Sequence, residues 1–145
     1  MTVSFKGTEE EKAALDAFVK LTRAAGVVAA RVHRRLAEMG ISPSQFGVLE
    51  TLYRLGPLAQ GKIGRELLRS GGNMTLVIDN LEKRGLVLRR RVESDRRSYI
   101  VDLTIEGRKL ITEFFPAHVI TVIEQMRVLT RAEQEELGRI CSKLH

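Results

Sequence analysis

Cationic side chains are concentrated in one short part of the sequence, where their chemistry suits contact with a polyanion. Residues 83–97 include seven lysine or arginine residues but only two acidic residues. The net charge of all 145 residues is +6, so the rest of the chain is nearly neutral. Such a local excess is typical of proteins that contact nucleic-acid phosphates. The residues are Lys83, Arg84, Arg89, Arg90, Arg91, Arg96 and Arg97, with Glu93 and Asp95 among them.

The helix predicted from Asn73 to Arg84 has an apolar face and a polar face. Spacing at i, i+3, i+4 and i+7 indicates that the apolar face packs into a core. Short polar side chains on the other face can meet base edges in a major groove, where asparagine pairs in bidentate fashion with adenine. The apolar face contains Met74, Val77, Ile78 and Leu81, and the outward face contains Asn73, Thr75, Leu76, Asp79, Asn80 and Lys83.

Beyond Gly85 the periodicity changes from helical to alternating, which predicts a β-hairpin, or wing. Its strands are separated by the polar turn Glu93–Arg96. We expect Arg96 and Arg97 at the tip to enter a minor groove, because the negative potential there attracts guanidinium groups. The strand residues expected to meet phosphates are Arg89, Arg90 and Arg91.

Three features of this region also have an ordinary explanation. Leu76 can contact a thymine methyl group, or it can be one of the scattered leucines found on any surface. The arginine run can contact phosphates or simply form a solvated face. Asp95 can orient Arg97 through a charge-assisted hydrogen bond, or initiate the turn, and the two roles are compatible.

The flanking sequence predicts the helices that position this region. A long apolar stripe runs from Thr8 to Met39, and Gly40 ends that helix. Ser42–Gln45 has the pattern of a capping box and begins a second helix, which ends near Leu55. A short helix follows from Gly61 to Arg69, before a break at Gly71 and Gly72. Thr104 caps a helix towards Val128 that Pro116 is expected to bend, and Thr130–Glu133 opens the last helix.

Composition excludes several classes of protein. The length is that of about one domain, and no apolar run approaches the ~18 residues that cross a bilayer. Glu9, Glu10 and Glu11 stand where a signal peptide would be apolar, so we expect a cytoplasmic protein. Its single cysteine, Cys141, fits a reducing compartment. Few aromatic residues and no tryptophan disfavour a single-strand binder.

We predict neither an enzyme nor a cofactor or metal site. The stretch from Gly61 to Gly64 contains a lysine but lacks Walker spacing, and no hydrolytic triad is indicated. His33, His118 and His145 are isolated, and Cys141 lacks a CxxC partner. A role for His118 together with carboxylates across a dimer is a minor alternative.

Four motifs together resemble the MarR family of bacterial transcription regulators, and the resemblance covers nearly the whole chain. The helix end with its glycine turn and the Asp-x-Arg wing are its most specific parts. The motifs are Gln45–Leu49, Asn73–Thr75, Leu81–Val87 and Asp95–Arg97, followed by Val101–Thr104 and Gly107.

The resemblance implies a mainly α fold with a small β-hairpin wing. A winged helix-turn-helix at residues 40–104 would lie between dimerisation helices at 1–39 and 105–145. A homodimer would bind a palindromic operator in double-stranded DNA, as a ligand-responsive repressor by family habit. Arg97 would be the minor-groove arginine with Asp95 as its partner, and Asn73, Thr75 and Asn80 the major-groove readers. Ser44 and Lys62 complete the residues that we expect at DNA.

Dimerisation also follows from the apolar stripes of the terminal helices. A winged-helix centre of roughly sixty residues cannot cover both stripes. A second copy would cover them and set two recognition helices roughly 34 Å apart. The alternative is that the first and last helices cover each other within one chain.

The sequence gives less information about the effector to which the protein responds. Related regulators often bind small aromatic or phenolic acids in a cleft between the dimer helices and the DNA-binding lobe. Arg31, His33, Arg34 and Tyr53 lie in segments that can line such a cleft, but no ligand residue is assigned. The peroxide-sensing branch uses a cysteine in the first helical region, which this chain lacks.

The main rival is a winged-helix module that docks a partner protein without specific DNA binding. That module would not need the wing charge to act on phosphates. A steep loss of DNA affinity with rising salt separates the two functions.

Overall fold

A computed structural model describes residues 5–67 and 71–145, and only the backbone at positions 71, 72, 96 and 97. The described residues form a mainly helical fold with a small sheet, which confirms the predicted fold class. The helices are α1 (Glu9–Glu38), α2 (Pro43–Leu55), α3 (Gln60–Glu66), α4 (Gly71–Lys83), α5 (Ile105–Met126) and α6 (Arg131–Cys141). The strands are β1 (Leu58–Ala59), β2 (Val87–Val92) and β3 (Asp95–Leu103).

The predicted helix starts of α2 and α6 are confirmed by their capping hydrogen bonds. The Ser42 hydroxyl accepts the backbone N–H of Gln45 at 3.1 Å, and the Gln45 side chain accepts that of Ser42 at 3.1 Å. Thr130 and Glu133 form the same reciprocal pair at the start of α6. Each box satisfies N–H groups that have no partner within the helix.

Two helix boundaries differ from those predicted. Helix α4 begins at Gly71, although the two glycines were expected to precede it. Glycine is tolerated there because the first turn has few internal hydrogen bonds to lose. Helix α3 ends at Glu66 instead of Arg69, and residues 68–70 lie outside the described part. Helix α5 continues through Pro116, where the sequence predicts a bend.

The sheet is antiparallel, with the strand order β1-β3-β2. Val87 pairs with Leu103 and Arg91 with Tyr99, which confirms the predicted hairpin. Its turn is shorter than predicted, because β3 already begins at Asp95 and that residue pairs with Val92. Strand β1 was not predicted, since two residues are too few to show alternation.

The described residues form two compact units. Residues 35–121 contain the end of α1, helices α2 to α4, the sheet and most of α5. The predicted inward face of α4 is buried, with exposed fractions of at most 8% for Met74, Val77, Ile78 and Leu81. These side chains share a core with residues of α2, α3 and the sheet, including Phe46, Leu49, Leu52, Ile63, Val87 and Val101.

The second unit contains α1 up to Arg34 and the chain from Val122 to the C-terminus. Within it Arg31 Nη1 lies 3.5 Å from Gln125 Oε1. None of the residues of α6, all of which are described, is buried. Large apolar side chains of α1 and α6, including Phe18, Leu137 and Ile140, are exposed. The two helices therefore leave apolar surface uncovered in a single chain.

Within the described ranges, no helix is both long and apolar enough to cross a membrane.

Candidate nucleic-acid interface

The outward face of α4 is a polar surface with one apolar residue. Asn73, Thr75, Asn80 and Lys83 are exposed as predicted, and Leu76 has 60% of its surface exposed. The helix is oriented by the buried residues on its opposite face, because their burial fixes its rotation about its own axis. Its first turn follows α3, and the two helices pack together within the same compact unit. This arrangement presents short side chains on a rigid element.

Arg89 of β2 connects that helix to the base of the hairpin. Its side chain is 14% exposed, and its guanidinium forms an ion pair with the Asp79 carboxylate. Nη1 also lies 3.6 Å from the Glu82 carboxylate. Nη2 donates to the carbonyl oxygen of Thr75 at 3.2 Å, and Nε donates to Oε1 of Gln60 at 3.0 Å. Arg89 was expected among the phosphate-contacting arginines, but in the structure its guanidinium is engaged within the protein.

Gln60 was missed by the sequence analysis. Its side-chain amide donates to the Thr75 hydroxyl at 3.0 Å, and its carbonyl oxygen accepts from Arg89. Gln60 is the first residue of α3 and directly follows β1. Nothing in the local pattern signals this role, because its partners lie 15 and 29 positions away.

Glu82 also has an intramolecular role. Its carboxylate accepts the backbone N–H of Arg89 at 3.2 Å, in addition to its ion pair with the guanidinium. Glu82 of α4 therefore pairs with a basic residue of the neighbouring strand.

Arg90 and Arg91 remain on the exposed surface of the hairpin. Arg91 lies with its guanidinium carbon 5.7 Å from the centre of the Tyr99 ring, its partner in the strand register. Such a cation–π contact restricts an otherwise mobile side chain. The two arginines are therefore available to a polyanion, and a direct phosphate contact stays a prediction.

The tip of the hairpin is only partly described. Asp95 is the first residue of β3, after the turn, and its carboxylate accepts the Ser98 hydroxyl at 2.9 Å. The side chains of Arg96 and Arg97 lie outside the described part of the chain. The pairing of Asp95 with Arg97 and the minor-groove role of both arginines thus stay predictions.

The last two residues of the predicted set lie on the preceding helices. Ser44 is half-buried in the first turn of α2, and Lys62 is exposed on α3. Arg84 belongs to the basic window but is held within the protein, where Nη1 donates to the carbonyl oxygen of Gly40 at 2.8 Å. This bond ties the end of α4 to the turn between α1 and α2.

Among the described residues, no three His, Cys, Asp or Glu side chains lie together as metal ligands would. His118 packs against the rings of Phe46, Phe114 and Phe115. Cys141 is a half-buried free thiol near the end of α6.

Comparison with known proteins gives a consistent result. The MarR family model matches residues 41–99, which include α2, α3, α4, β2 and most of the hairpin. An uncharacterised HTH-type transcriptional regulator of Bacillus subtilis, YkoM, is 34% identical over 137 residues, covering 94% of this chain and 88% of the relative.

Solved structures share the fold. Sco3205, a MarR family transcriptional regulator from Streptomyces coelicolor solved in complex with DNA, superimposes with a TM-score of 0.84 at 23% identity, over 97% of this chain and 89% of its own. BpsR of Bordetella bronchiseptica, whose DNA binding is regulated by 6-hydroxynicotinic acid, gives 0.81 at 23% identity, over 89% and 98%.

Proposed function

Because this chain belongs to the MarR family of transcriptional regulators, we propose that it binds a palindromic operator as a homodimer and represses the adjacent promoter. The regulators of this family are not enzymes. The observation that carries the proposal is the juxtaposition of the exposed polar face of α4 with a cationic hairpin in one compact unit. In this function α4 is the recognition helix, and the β2–β3 hairpin is the wing.

Base recognition is supported by the residue types on the recognition helix. Asn73 and Asn80 have the amide groups that pair with adenine, and Thr75 can bond to either base edge. Their short side chains let the helix approach the floor of a major groove. Arg90 and Arg91 of the wing supply positive charge for phosphates, whereas Arg96 and Arg97 are proposed for the minor groove.

A homodimer is supported by the uncovered apolar side chains of the terminal helices. Phe18 is 64% exposed and Ile140 is 47% exposed in the single chain. Large apolar side chains left exposed on two helices of one unit favour an interface that covers them. A two-fold interface buries the same surface on both copies, and it places two recognition helices about one turn of DNA apart. The chain would act in the cytoplasm, where the operator is.

DNA binding by this chain would respond to a small aromatic acid. This response is supported by BpsR, which shares the fold and whose DNA binding responds to 6-hydroxynicotinic acid. A ligand regulates DNA binding only if its affinity for the DNA-bound protein differs from its affinity for the DNA-free protein. The test is operator binding with and without 6-hydroxynicotinic acid or a simple phenolic acid, and a shift in affinity would identify the ligand class.

The decisive experiment is selection of bound duplexes from a random-sequence library, followed by titration at several salt concentrations. We expect an enriched inverted repeat and an affinity that falls steeply with salt, because bound phosphates release counterions. No enriched sequence, together with a shallow salt dependence, would indicate a module that docks a partner protein. A promoter fusion carrying the selected site then tests repression.

A further inference from the structure

We propose that Arg89 is a positioning residue, which locks the recognition helix to the base of the wing instead of contacting phosphates. Three elements meet at its guanidinium: Asp79 and Glu82 of α4, Gln60 of α3, and its own strand β2. This inference rests on the proposed DNA-binding function and assigns a role to a residue within it.

The geometry directs the donors of Arg89 inwards. A guanidinium offers N–H donors in a rigid fork. Here Nε, Nη1 and Nη2 each have an acceptor within the protein, namely Gln60, Asp79 and the Thr75 carbonyl oxygen. With all three nitrogens engaged and only 14% of the side chain exposed, little of the guanidinium is left for a phosphate.

The position of Arg89 in the sheet makes the connection rigid. Its partner across the hairpin is Val101, which is fully buried and also pairs with Leu58 of β1. Arg89 therefore lies on an edge strand, opposite the β3 residue that also pairs with β1, and Gln60 directly follows β1. A rotation of α4 relative to the wing would break the ion pair with Asp79 and the bond from Gln60 to Thr75. The network thus fixes the angle at which the two DNA-contacting elements meet the duplex.

Charge gives Arg89 a second effect. Asp79 and Glu82 lie on the recognition helix, and their side chains are 43% and 44% exposed. Unpaired carboxylates on this surface would repel phosphates. The guanidinium offsets that repulsion, so its loss both loosens the helix and exposes negative charge. Replacing Asp79 by the neutral Asn would then remove part of the penalty.

The test uses the full-length protein and the duplex that the wild type selects from a random library. Arg89→Gln is compared with Arg90→Gln, which removes the same charge from the adjacent exposed position. Affinity is measured for the selected duplex and for a random-sequence duplex, each across a series of salt concentrations. Circular dichroism and thermal unfolding show whether each variant is folded.

We expect Arg89→Gln to weaken the selected duplex roughly tenfold and random DNA by much less, since random DNA is affected only by the exposed carboxylates, with an unchanged salt slope. Arg90→Gln should weaken both duplexes alike and lower the salt slope by roughly one, as expected for a lost phosphate contact. If Arg89→Gln lost equal affinity for both duplexes and had a reduced salt slope, the positioning role would be overturned. Failure of the wild type to select any duplex would instead refute the proposed function.

The double variant Arg89→Gln/Asp79→Asn and the single variant Asp79→Asn provide an independent check. We expect the double variant to bind the selected duplex better than Arg89→Gln alone, because no unpaired Asp79 carboxylate remains. The matched pair is Arg90→Gln/Asp79→Asn against Arg90→Gln, where the Asp79→Asn change should give no recovery. If Arg89→Gln does not fold, Asp79→Asn alone breaks the same ion pair and must reduce specificity without changing the salt slope. Unchanged specificity in that variant would contradict the proposal.

Discussion

Gly107 packs directly against the backbone of Leu86. A Cβ atom at position 107 would lie 1.9 Å from the Leu86 carbonyl oxygen. The same oxygen accepts the N–H of Thr104 at 3.1 Å. The Thr104 hydroxyl accepts the N–H of Gly107 at 3.0 Å and donates to the carbonyl oxygen of Gly85 at 2.6 Å. The start of α5 is thus joined to the turn between the recognition helix and the wing, with no space for a side chain at position 107.

Replacing Gly107 with Ala should therefore lower the free energy of unfolding by about 3 kcal/mol, through overpacking against an immobile backbone atom. The measurement is urea-induced unfolding. Gly61→Ala is the matched control, because among the described atoms a Cβ there would meet only Arg65 Nη1, at an ordinary 3.6 Å. That substitution should be neutral or stabilising by up to roughly 1 kcal/mol. Equal stability of the two variants would contradict the close approach.

Thr51→Val should stabilise the protein. Thr51 lies in the core at 1% exposure, and no described group forms a hydrogen bond with its hydroxyl. Valine has nearly the same shape without a polar group to desolvate, so we expect a gain of about 1 kcal/mol. Thr121→Val is the control, since the Thr121 hydroxyl donates to the Ala117 carbonyl oxygen at 3.0 Å and its loss should cost about 1 kcal/mol. A less stable Thr51→Val protein would show that a bound water satisfies the hydroxyl.

Glu133 should make the stability of α6 depend on pH. The N–H and hydroxyl of Thr130 hold the pKa of the Glu133 carboxyl below its ordinary value of 4.5. A lowered folded-state pKa contributes stability that is present above the unfolded value and lost as the pH falls through the folded one. In Glu133→Gln this dependence is absent, while all other groups titrate as before. The stability difference between the two proteins should therefore change below about pH 4.5; parallel curves from pH 7 to pH 3 would refute it.

Local patterns account for the parts of the fold that the sequence predicts well. The caps at Ser42 and Thr130, the buried face of α4 and the wing strands each depend on residues a few positions apart. Strand β1 escapes prediction because its two residues are placed by pairing with β3, about forty positions later in the chain. The start of α4 at Gly71 shows that glycine in a first turn is a weak helix breaker.

In the candidate site, too, features set by local periodicity were predicted and features set by tertiary packing were not. The exposure of Asn73, Asn80 and Lys83 follows from helical periodicity, so it was predicted. The hydrogen bonds of Arg89 were not predicted. Alternation indicates on which face of a strand a residue lies, but it does not indicate which acceptors lie near that residue. Asp79 is ten positions from Arg89 and Gln60 is twenty-nine. Only the tertiary packing of α3, α4 and β2 brings them together.

Asn80→Ala should alter base preference without a general loss of DNA affinity. Asn80 is exposed on the recognition helix, and a bidentate contact with adenine contributes about 1 to 3 kcal/mol of discrimination. The measurement is affinity for the selected duplex and for duplexes with single base changes. Lys83→Gln is the control for phosphate contact, which should weaken all duplexes alike and reduce the salt slope by roughly one. An Asn80→Ala protein with the wild-type order of preferences would exclude Asn80 as a reader.

Ile140→Glu should dissociate the proposed dimer. Ile140 is 47% exposed on α6, on the same face as Leu137, which is 40% exposed. A carboxylate buried against a second copy would lack a partner and oppose association. Gly138→Glu introduces the same charge about 200° around the helix, at a position with no described atom within 4 Å of a Cβ. Light scattering should show a monomer for Ile140→Glu and a dimer for Gly138→Glu.

The Ile140→Glu monomer should also lose most of its affinity for the intact operator, because each half of the palindrome then binds a separate molecule. Its DNA-binding unit should keep its fold. A dimer that survives Ile140→Glu would place the interface on another surface.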